Sequence, residues 1–366
     1  MGSAPGPRDA ERRLIEWLAA VVAGHAADLG EIDDDFVTVL VRARLLPLAA
    51  RHGAVHPRLA ATARVAFANA ARTARLSDRF VTALAESGVL GVTLRGPALG
   101  ATFWGDAALR PSIDIDILVS PADVPAARRA FEALGFSGSD SRPLWYLRRW
   151  HFNESYAGGE PSAVVELHWN IVRPHAGRVA IAALVAEAET VEWLGAHLRT
   201  PAPAWHMLVC AVHAVSHYFT LRELLDIAFI ARTLSPSDWQ RVVALARSSQ
   251  LAPALYYAVG VSAERLGWQP PDEVRSLRPS PLRDTLARRY LAALPATGSP
   301  GTRTMQLGKV GAPLVSVSGA AWLAALPMSL TDRPLASAAL DARLRGRRGR
   351  SRPDSDASEV PPREPL

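Results

Sequence analysis

Apolar residues recur at helical spacing over the first quarter of the chain. In residues 9–29 one helical stripe is formed by Leu14, Trp17, Leu18, Val21 and Val22. Residues 33–53 begin with acids and end at glycine, the usual polarity of helix ends, and an Ala-rich stretch of helical character covers residues 57–86. We therefore predict a flexible N-terminus over residues 1–8 and a helical domain over residues 9–88.

The period of the pattern changes after this region. Apolar runs predict strands over residues 89–96, 113–120, 144–153 and 162–172. An amphipathic helix is predicted over residues 121–136, and another begins at Pro97. Strands and helices in this order are typical of a small α/β (α+β) domain with a mixed sheet, which we place at residues 89–200.

Helical spacing returns downstream of the predicted sheet. Helices are predicted over residues 204–219, 221–234, 235–249 and 253–267, the third opening with Ser235 at the N-cap and Pro236 at the first helical position. We assign residues 201–300 to a helical domain that closes a cleft over the sheet. Residues 301–334 are partly apolar and receive no assignment. Residues 335–366 offer few apolar side chains to bury, which predicts a disordered Arg-rich tail.

Composition indicates a cytoplasmic enzyme. Apolar residues make up 49% of the chain, enough for a sizeable core. No run reaches the roughly 20 apolar residues of a membrane span, because residues 311–330 are interrupted by prolines and serines. The N-terminus does not resemble a secretory signal. Cys210 is the only cysteine, which excludes an internal disulfide and Cys-rich zinc motifs.

The net charge of +6 is weak support for a nucleic-acid partner. Lys309 is the only lysine, and the tail from Leu335 carries seven Arg against five acids, a contribution of +2. Abundant Arg, Ala, Gly and Pro are also typical of a GC-rich bacterial genome. We expect neither nucleic acid nor a membrane as partner, and the oligomeric state is left open.

Two aspartates interrupt the most strand-like segment, "IDIDILVS". Residues i and i+2 of a strand point to the same face, so Asp114 and Asp116 lie side by side while the flanking isoleucines face the other way. Carboxylates about 6 Å apart repel by roughly 3 kcal/mol at an effective dielectric near 20. Three things could offset this repulsion: an ion pair with Arg95 or Arg110, a raised pKa of one carboxyl, or a bound divalent cation. The alternative to a metal site is an ordinary strand end exposed to solvent.

Neighbouring residues favour a divalent cation as the charge that compensates the two aspartates. The joint at Gly96 and Pro97 starts a helix whose free amides could attract phosphate. Glu166 interrupts a second apolar strand, and His168 follows on the same face. Hard carboxylate oxygens are the ligands that Mg²⁺ prefers.

These motifs resemble a known family. The stretch "LRGPALGATFWGDAALRPSIDIDILVS", followed by "ELHW" (166–169), His213 and "LLDI" (224–227), is similar to the bacterial uncharacterised nucleotidyltransferase family of the polymerase-beta-like superfamily. The resemblance covers about residues 85–235. One departure is Arg95, where the family usually has lysine; Arg keeps the charge but grips phosphate differently.

The resemblance implies a site and a reaction. Asp114, Asp116 and Glu166 would be catalytic metal ligands for two Mg²⁺ ions roughly 3.5–4 Å apart. Gly96 would hold the triphosphate of an NTP, and Arg95 and Arg110 would neutralise phosphate, although an ion pair of Arg110 with Asp114 is an equal alternative. The acceptor would be a hydroxyl or phosphate of an unidentified molecule, with a small molecule or a peptide natural product as the candidates.

Accessory roles and rival functions follow from weaker signals. His168, His213 and Asp226 are accessory candidates. His168 would orient Glu166 or help position substrate, with a partly buried structural histidine as an equal alternative. His213 would line the nucleotide cleft or contact Asp226. A zinc site on His213 and His217 lacks an obvious third ligand. The main rival is a catalytically silent nucleotidyltransferase fold that binds a nucleotide or a protein partner, which Arg95 slightly favours.

Overall fold

The fold is given by a computed structural model. It describes residues 7–25, 29, 32–53, 56–139, 146–147, 150–159, 163–174, 176–294 and 315–316. The assignments made for the N-terminal residues 1–6, for residues 301–334 apart from a helical pair at 315–316, and for the tail 335–366 fall outside these residues.

Five strands form a mixed sheet in the order β1-β2-β5-β4-β3. They are β1 (Val92–Thr93), β2 (Asp114–Leu118), β3 (Phe136–Gly138), β4 (Asn153–Gly158) and β5 (Ala163–His168). Strands β2 and β5 run parallel, whereas the other neighbours are antiparallel. A separate hairpin pairs β6 (Glu189–Trp193) with β7 (Ala196–Thr200). The predicted fold class, an α/β core with a small mixed sheet and helical flanks, is confirmed.

Helices precede the sheet as predicted, with one difference. They are α1 (Pro7–Val22), α2 (Asp34–Ala43), α3 (Leu46–Arg51) and α4 (Pro57–Glu86). The single helix predicted over residues 33–53 is wrong, because the chain breaks between α2 and α3. Pro47 lacks an N–H, and its ring would clash with the carbonyl of Ala43. Helix α2 therefore ends there, and Arg44 turns the chain with a left-handed φ of 58°.

The remaining helices lie between and after the strands. Within the sheet region they are α5 (Pro97–Phe103), α6 (Val124–Ala133) and α7 (Ile181–Ala186). After it come α8 (Pro203–Ser216), α9 (Leu221–Ala231), α10 (Pro236–Ser248), α11 (Ala252–Leu266), α12 (Asp272–Arg275) and α13 (Pro281–Ala292). The predicted cap at Ser235 is confirmed: its hydroxyl accepts from the Asp238 amide, and the Asp238 carboxylate accepts from the Ser235 amide. Within the described part of the chain, no helix combines the length and hydropathy needed to cross a bilayer.

The two faces of the sheet meet different partners. Ile115, Ile117 and Val119 pack in one buried cluster with Phe80 of α4 and Phe131 of α6. On the opposite face, Leu118 joins a second cluster with the N-terminal and C-terminal helices. The predicted division of faces along this strand is confirmed for these residues. The boundaries proposed for the domains stay predictions.

One predicted strand lies elsewhere. Residues 144–153 were expected to be extended, yet Tyr146, Leu147 and Trp150 are helical and the strand begins only at Asn153. Leu147 is buried whereas Trp150 is exposed. Aromatic content indicated a strand, but β-propensity depends strongly on context, so composition alone does not decide the backbone here.

A buried histidine in α8 should make stability depend on pH. His206 is fully buried, its Nε2 lies 2.7 Å from the Thr200 hydroxyl, and it is not among the residues that line the large cavity described below. Burial, with a smaller effect of Arg110, lowers its pKa from 6.5 to about 3. The folded protein therefore keeps His206 neutral while the unfolded chain takes up a proton below pH 6.5. This histidine should lower the free energy of unfolding by about 2 kcal/mol between pH 6.5 and pH 5.

Chemical denaturation at pH 7, 6 and 5 checks this effect. His206→Gln should flatten the acid-side loss of stability, because glutamine takes up no proton on unfolding. His25→Gln, at an exposed position, is the matched control and should leave the wild-type slope unchanged. Equal slopes in the wild type and His206→Gln would contradict the assignment.

Candidate active site

Carboxylates and a histidine share one face of the sheet because β2 and β5 are parallel neighbours. Asp116 is paired with Glu166, and Leu118 with His168, in the strand register. Side chains two residues apart point to the same face, so Asp114 lies on this face as well. Asp114, Asp116, Glu166 and His168 all line one cavity of about 590 Å³.

Asp116 is the most deeply buried of these carboxylates, with 3% of its surface exposed. Its Oδ2 accepts from Arg95 Nη2 at 2.7 Å, and its Oδ1 lies 3.1 Å from His168 Nε2. Burial alone would raise the pKa of Asp116, but the charge of Arg95 and the hydrogen bond from His168 outweigh burial and hold it well below its usual range. Asp116 is therefore ionised at neutral pH.

His168 bridges two carboxylates. Its Nε2 lies 3.3 Å from Glu166 Oε2 as well as close to Asp116. Burial would lower the pKa of His168, but the hydrogen bonds to Asp116 and Glu166 prevail and raise it to about 9. The ring is thus a cation at neutral pH that donates to both acids. The predicted contact of His168 with Glu166 is present, and the contact with Asp116 is additional.

Glu166 is the third carboxylate of the face. Asn153 Nδ2 donates to its Oε2 at 2.6 Å. The hydrogen bond from His168, stronger than the opposing effect of burial, lowers the pKa of Glu166. Asp114 is held differently, since its Oδ1 accepts from the Ser112 hydroxyl at 2.9 Å.

Arg95 and the glycine turn adjoin this face. The Leu94 amide donates to the Asp116 carbonyl, which places Arg95 beside the carboxylates and in contact with the His213 ring. Gly96 has φ 65° and ψ −131°, a backbone conformation that glycine alone adopts readily. It is followed by Pro97 at the first position of α5, as predicted.

Arg110 has a partner that the sequence did not indicate. Its Nε and Nη2 donate to the two oxygens of Asp226 at 2.7 and 2.6 Å, and Trp104 Nε1 donates to Asp226 Oδ1 at 2.9 Å. The alternative proposed for Arg110, an ion pair with Asp114, is wrong, because the Arg110 guanidinium is paired with Asp226 of α9. The phosphate role for Arg110 stays a prediction, although Arg110 lines the cavity.

The cavity extends from the sheet to the helices. His213 of α8 and His217, which caps the C-terminus of α8, line it with ring centroids 3.9 Å apart, whereas Asp226 is not among the lining residues. Burial, together with the charge of Arg95, lowers the pKa of His213 well below its usual value. His213 is therefore uncharged at neutral pH where it lines the cavity, and its accessory role stays a prediction.

The donor set suits a hard divalent cation. Among the described residues, ligand atoms of Asp116, Glu166 and His168 lie within 4.8 Å of one another, whereas Asp114 is outside this group. His168 Nε2 lies 3.1 Å from Asp116 Oδ1 and 3.3 Å from Glu166 Oε2, so in this arrangement it donates to the carboxylates. The oxygens of Asp116 and Glu166, with Asp114 two residues along β2, are the donors that fit Mg²⁺.

Several cavity residues escaped the sequence analysis. Ser112 and Asn153 contact the acids, Arg222 and Glu223 form an ion pair, and all four line the cavity together with Arg42 and Arg44. Ser112 had a local signal, since it precedes Asp114 by two residues. The others are brought in from distant segments, and only the three-dimensional packing reveals them.

The comparison with protein-family models agrees with the motifs. A family model described as "Uncharacterised nucleotidyltransferase" matches residues 32–267. No protein with a curated description matches the chain. Among solved structures, the solution structure of the antibiotic-resistance factor ANT(2'')-Ia is similar, with 13% identity, a TM-score of 0.34, and coverage of 49% of this chain and 93% of that chain.

Proposed function

This chain belongs to the uncharacterised nucleotidyltransferase family, and we propose that it transfers NMP from an NTP to an acceptor in a Mg²⁺-dependent reaction. One observation carries the proposal. Asp116 and Glu166 lie side by side on parallel strands, and with Asp114 they line a single cavity next to Arg95. Three carboxylates on one half-buried face are hard to explain by stability alone, since like charges repel.

Each residue has a defined part in this proposal. Asp114, Asp116 and Glu166 would hold Mg²⁺, which when bound neutralises phosphate charge and lowers the pKa of a coordinated hydroxyl. His168 is a positioning residue, because its ring bridges Asp116 and Glu166. Arg95 exchanges part of its contact with Asp116 for the triphosphate, and the turn at Gly96 lets the backbone approach the phosphates.

The transfer step conserves atoms and charge. An acceptor oxygen attacks the α-phosphorus and forms a new P–O bond, while the bond to the β-phosphate oxygen breaks and pyrophosphate leaves. When the acceptor is a hydroxyl, its proton passes to Glu166; an ionised phosphate acceptor attacks without giving up a proton. Both Asn153 and His168 contact Glu166 Oε2, so we assign the proton to Oε1. Holding the acceptor and phosphate in line supplies much of the rate enhancement.

The acceptor and the cellular setting belong to the same proposal. A hydroxyl or phosphate of a small molecule or peptide natural product is the acceptor, and the cytoplasm of a bacterium is the setting, where NTPs are at hand. Nucleic acid is not required as a partner.

Label transfer tests the function. The protein is incubated with Mg²⁺, a cell extract as source of acceptors, and each NTP labelled in turn at the α- or the γ-phosphate. We expect α-label, and not γ-label, in a new product for one NTP, and no product from Asp114→Ala/Asp116→Ala. Label transfer that survives the double substitution would rule out this site. Absence of NTP binding with metal present would favour the silent fold.

A further inference from the structure

Helix α2 brings two arginines into the cavity from outside the sheet. Arg42 lies in the last turn of α2 and Arg44 is its cap, and both line the cavity that contains Asp114, Asp116 and Glu166. Both side chains are exposed. They therefore present two guanidinium groups to whatever enters the cavity from this side.

The other arginines of the wall are already engaged. Arg95 donates to Asp116, Arg110 to Asp226, and Arg222 to Glu223. Within the residues that the structure describes, neither Arg42 nor Arg44 forms a side-chain hydrogen bond or ion pair. Among the described arginines that line the cavity, Arg42 and Arg44 are therefore the two whose charge is not paired.

Arg44 leaves the helical conformation directly after α2, and the cavity lining follows the chain from Arg42 to Arg44. Residues two apart on a helix point to different sides, so a continuous helix would turn one of them away. The left-handed conformation of Arg44, φ 58° and ψ 36°, ends α2 and redirects the chain. This position usually belongs to glycine, since a side chain there is strained.

We propose that Arg42 and Arg44 form an anion subsite that binds a phosphate or carboxylate group of the acceptor. This inference rests on the proposed nucleotidyl transfer and names the class of its acceptor: an acidic molecule, not a polycation. The triphosphate has its own partners in Arg95 and the Gly96 turn, which belong to a different element. An acidic acceptor needs such cations, because it must approach three carboxylates.

Anion binding can be measured without knowing the acceptor. The probe is inorganic phosphate, titrated at constant ionic strength into the full chain with Mg²⁺, in the absence and presence of a saturating α,β-methylene NTP analogue. Wild-type protein should bind phosphate in both states. With the analogue bound, so that the triphosphate site is filled, Arg42→Gln/Arg44→Gln should weaken phosphate binding at least about tenfold, through the loss of two charge-assisted contacts. The analogue's own Kd should change less than about threefold.

A matched variant removes the same charge elsewhere. Arg12→Gln/Arg51→Gln changes two arginines of α1 and α3 that do not line the cavity and should bind phosphate as the wild type does. Phosphate binding that the analogue abolishes would assign the arginines to the triphosphate and overturn the inference. Unchanged phosphate binding by Arg42→Gln/Arg44→Gln would overturn it too.

Failure of the proposed function has a different signature. If no analogue binds the wild type with Mg²⁺, nucleotidyl transfer fails and the acceptor subsite falls with it. If an analogue binds and phosphate adds nothing, only the subsite is wrong. In the label-transfer assay, the extract's acceptor should be retained by an anion exchanger; an acceptor in the flow-through would contradict an acidic class.

Discussion

Asp116→Asn should lower the rate of NMP transfer about a thousandfold, which is roughly 4 kcal/mol of transition-state stabilisation. Asparagine keeps the shape of the side chain but removes the charge and one hard oxygen. It also leaves Arg95 and His168, both buried against Asp116, to share one remaining acceptor. The initial rate of label transfer from the α-labelled NTP measures the effect.

A second carboxylate separates lost catalysis from lost stability. Glu154 is also buried on this sheet, on the opposite face, where Arg128 donates to both of its oxygens at 2.6 and 2.7 Å. Glu154→Gln should destabilise the protein yet leave the transfer rate within about threefold of wild type below the melting temperature. Equal rate losses in the two variants would show that Asp116 acts through the fold alone.

Asp226→Ala should have the largest effect on stability, about 3–5 kcal/mol off the free energy of unfolding. Arg110 and Asp226 are 2% and 1% exposed, so the substitution leaves a buried guanidinium without its counter-charge. It also removes the acceptor of the Trp104 indole. Chemical denaturation measures the loss, and Asp226→Asn, which retains one oxygen, should lose less.

A surface pair provides the contrast. Asp272 and Arg275 are 85% and 70% exposed, so Asp272→Ala should change the free energy of unfolding by no more than about 1 kcal/mol. Replacing both partners of the buried pair, as Arg110→Met/Asp226→Leu, should recover part of the loss, because no unpaired charge remains. If Asp226→Ala lowers the free energy of unfolding by no more than Asp272→Ala does, Arg110 stays solvated in the variant and the prediction is contradicted.

Local patterns in the sequence were sufficient to predict the acidic strand. The alternation in "IDIDILVS" separates Asp116 and Leu118 from Ile115 and Ile117, and the structure places these pairs on opposite faces. Period two is a property of any extended chain, so this prediction needs no tertiary information. The same holds for Ser235 as a helix cap, whose partner is three residues away.

Long-range partners could not be predicted in this way. Asp226 lies 116 residues from Arg110, and many closer acids were equally plausible by charge. The cations that neutralise Asp116 are likewise a matter of packing. Glu166 lies beside Asp116 only because β2 and β5 are adjacent and in register. A parallel pair depends on the crossover that joins its strands, which a single sequence does not specify.

Some local signals were present but were outweighed. Pro47 marks the break after Ala43, yet the apolar spacing of residues 33–53 favoured one helix. The hairpin of β6 and β7 turns at Leu194 and Gly195, both with positive φ, and a glycine between two short strands is a turn signal. Weighting proline and glycine above apolar spacing would have predicted both features.

The central claim is that Asp114, Asp116 and Glu166 together hold divalent cations for an NTP. Electron paramagnetic resonance of Mn²⁺, a spectroscopic substitute for Mg²⁺, measures this directly in the presence of the α,β-methylene analogue that the wild type binds. We predict saturable Mn²⁺ binding by the wild type and by Glu154→Gln, weakened at least about tenfold in Asp116→Asn. Mn²⁺ affinity that is unchanged in Asp116→Asn would contradict the claim.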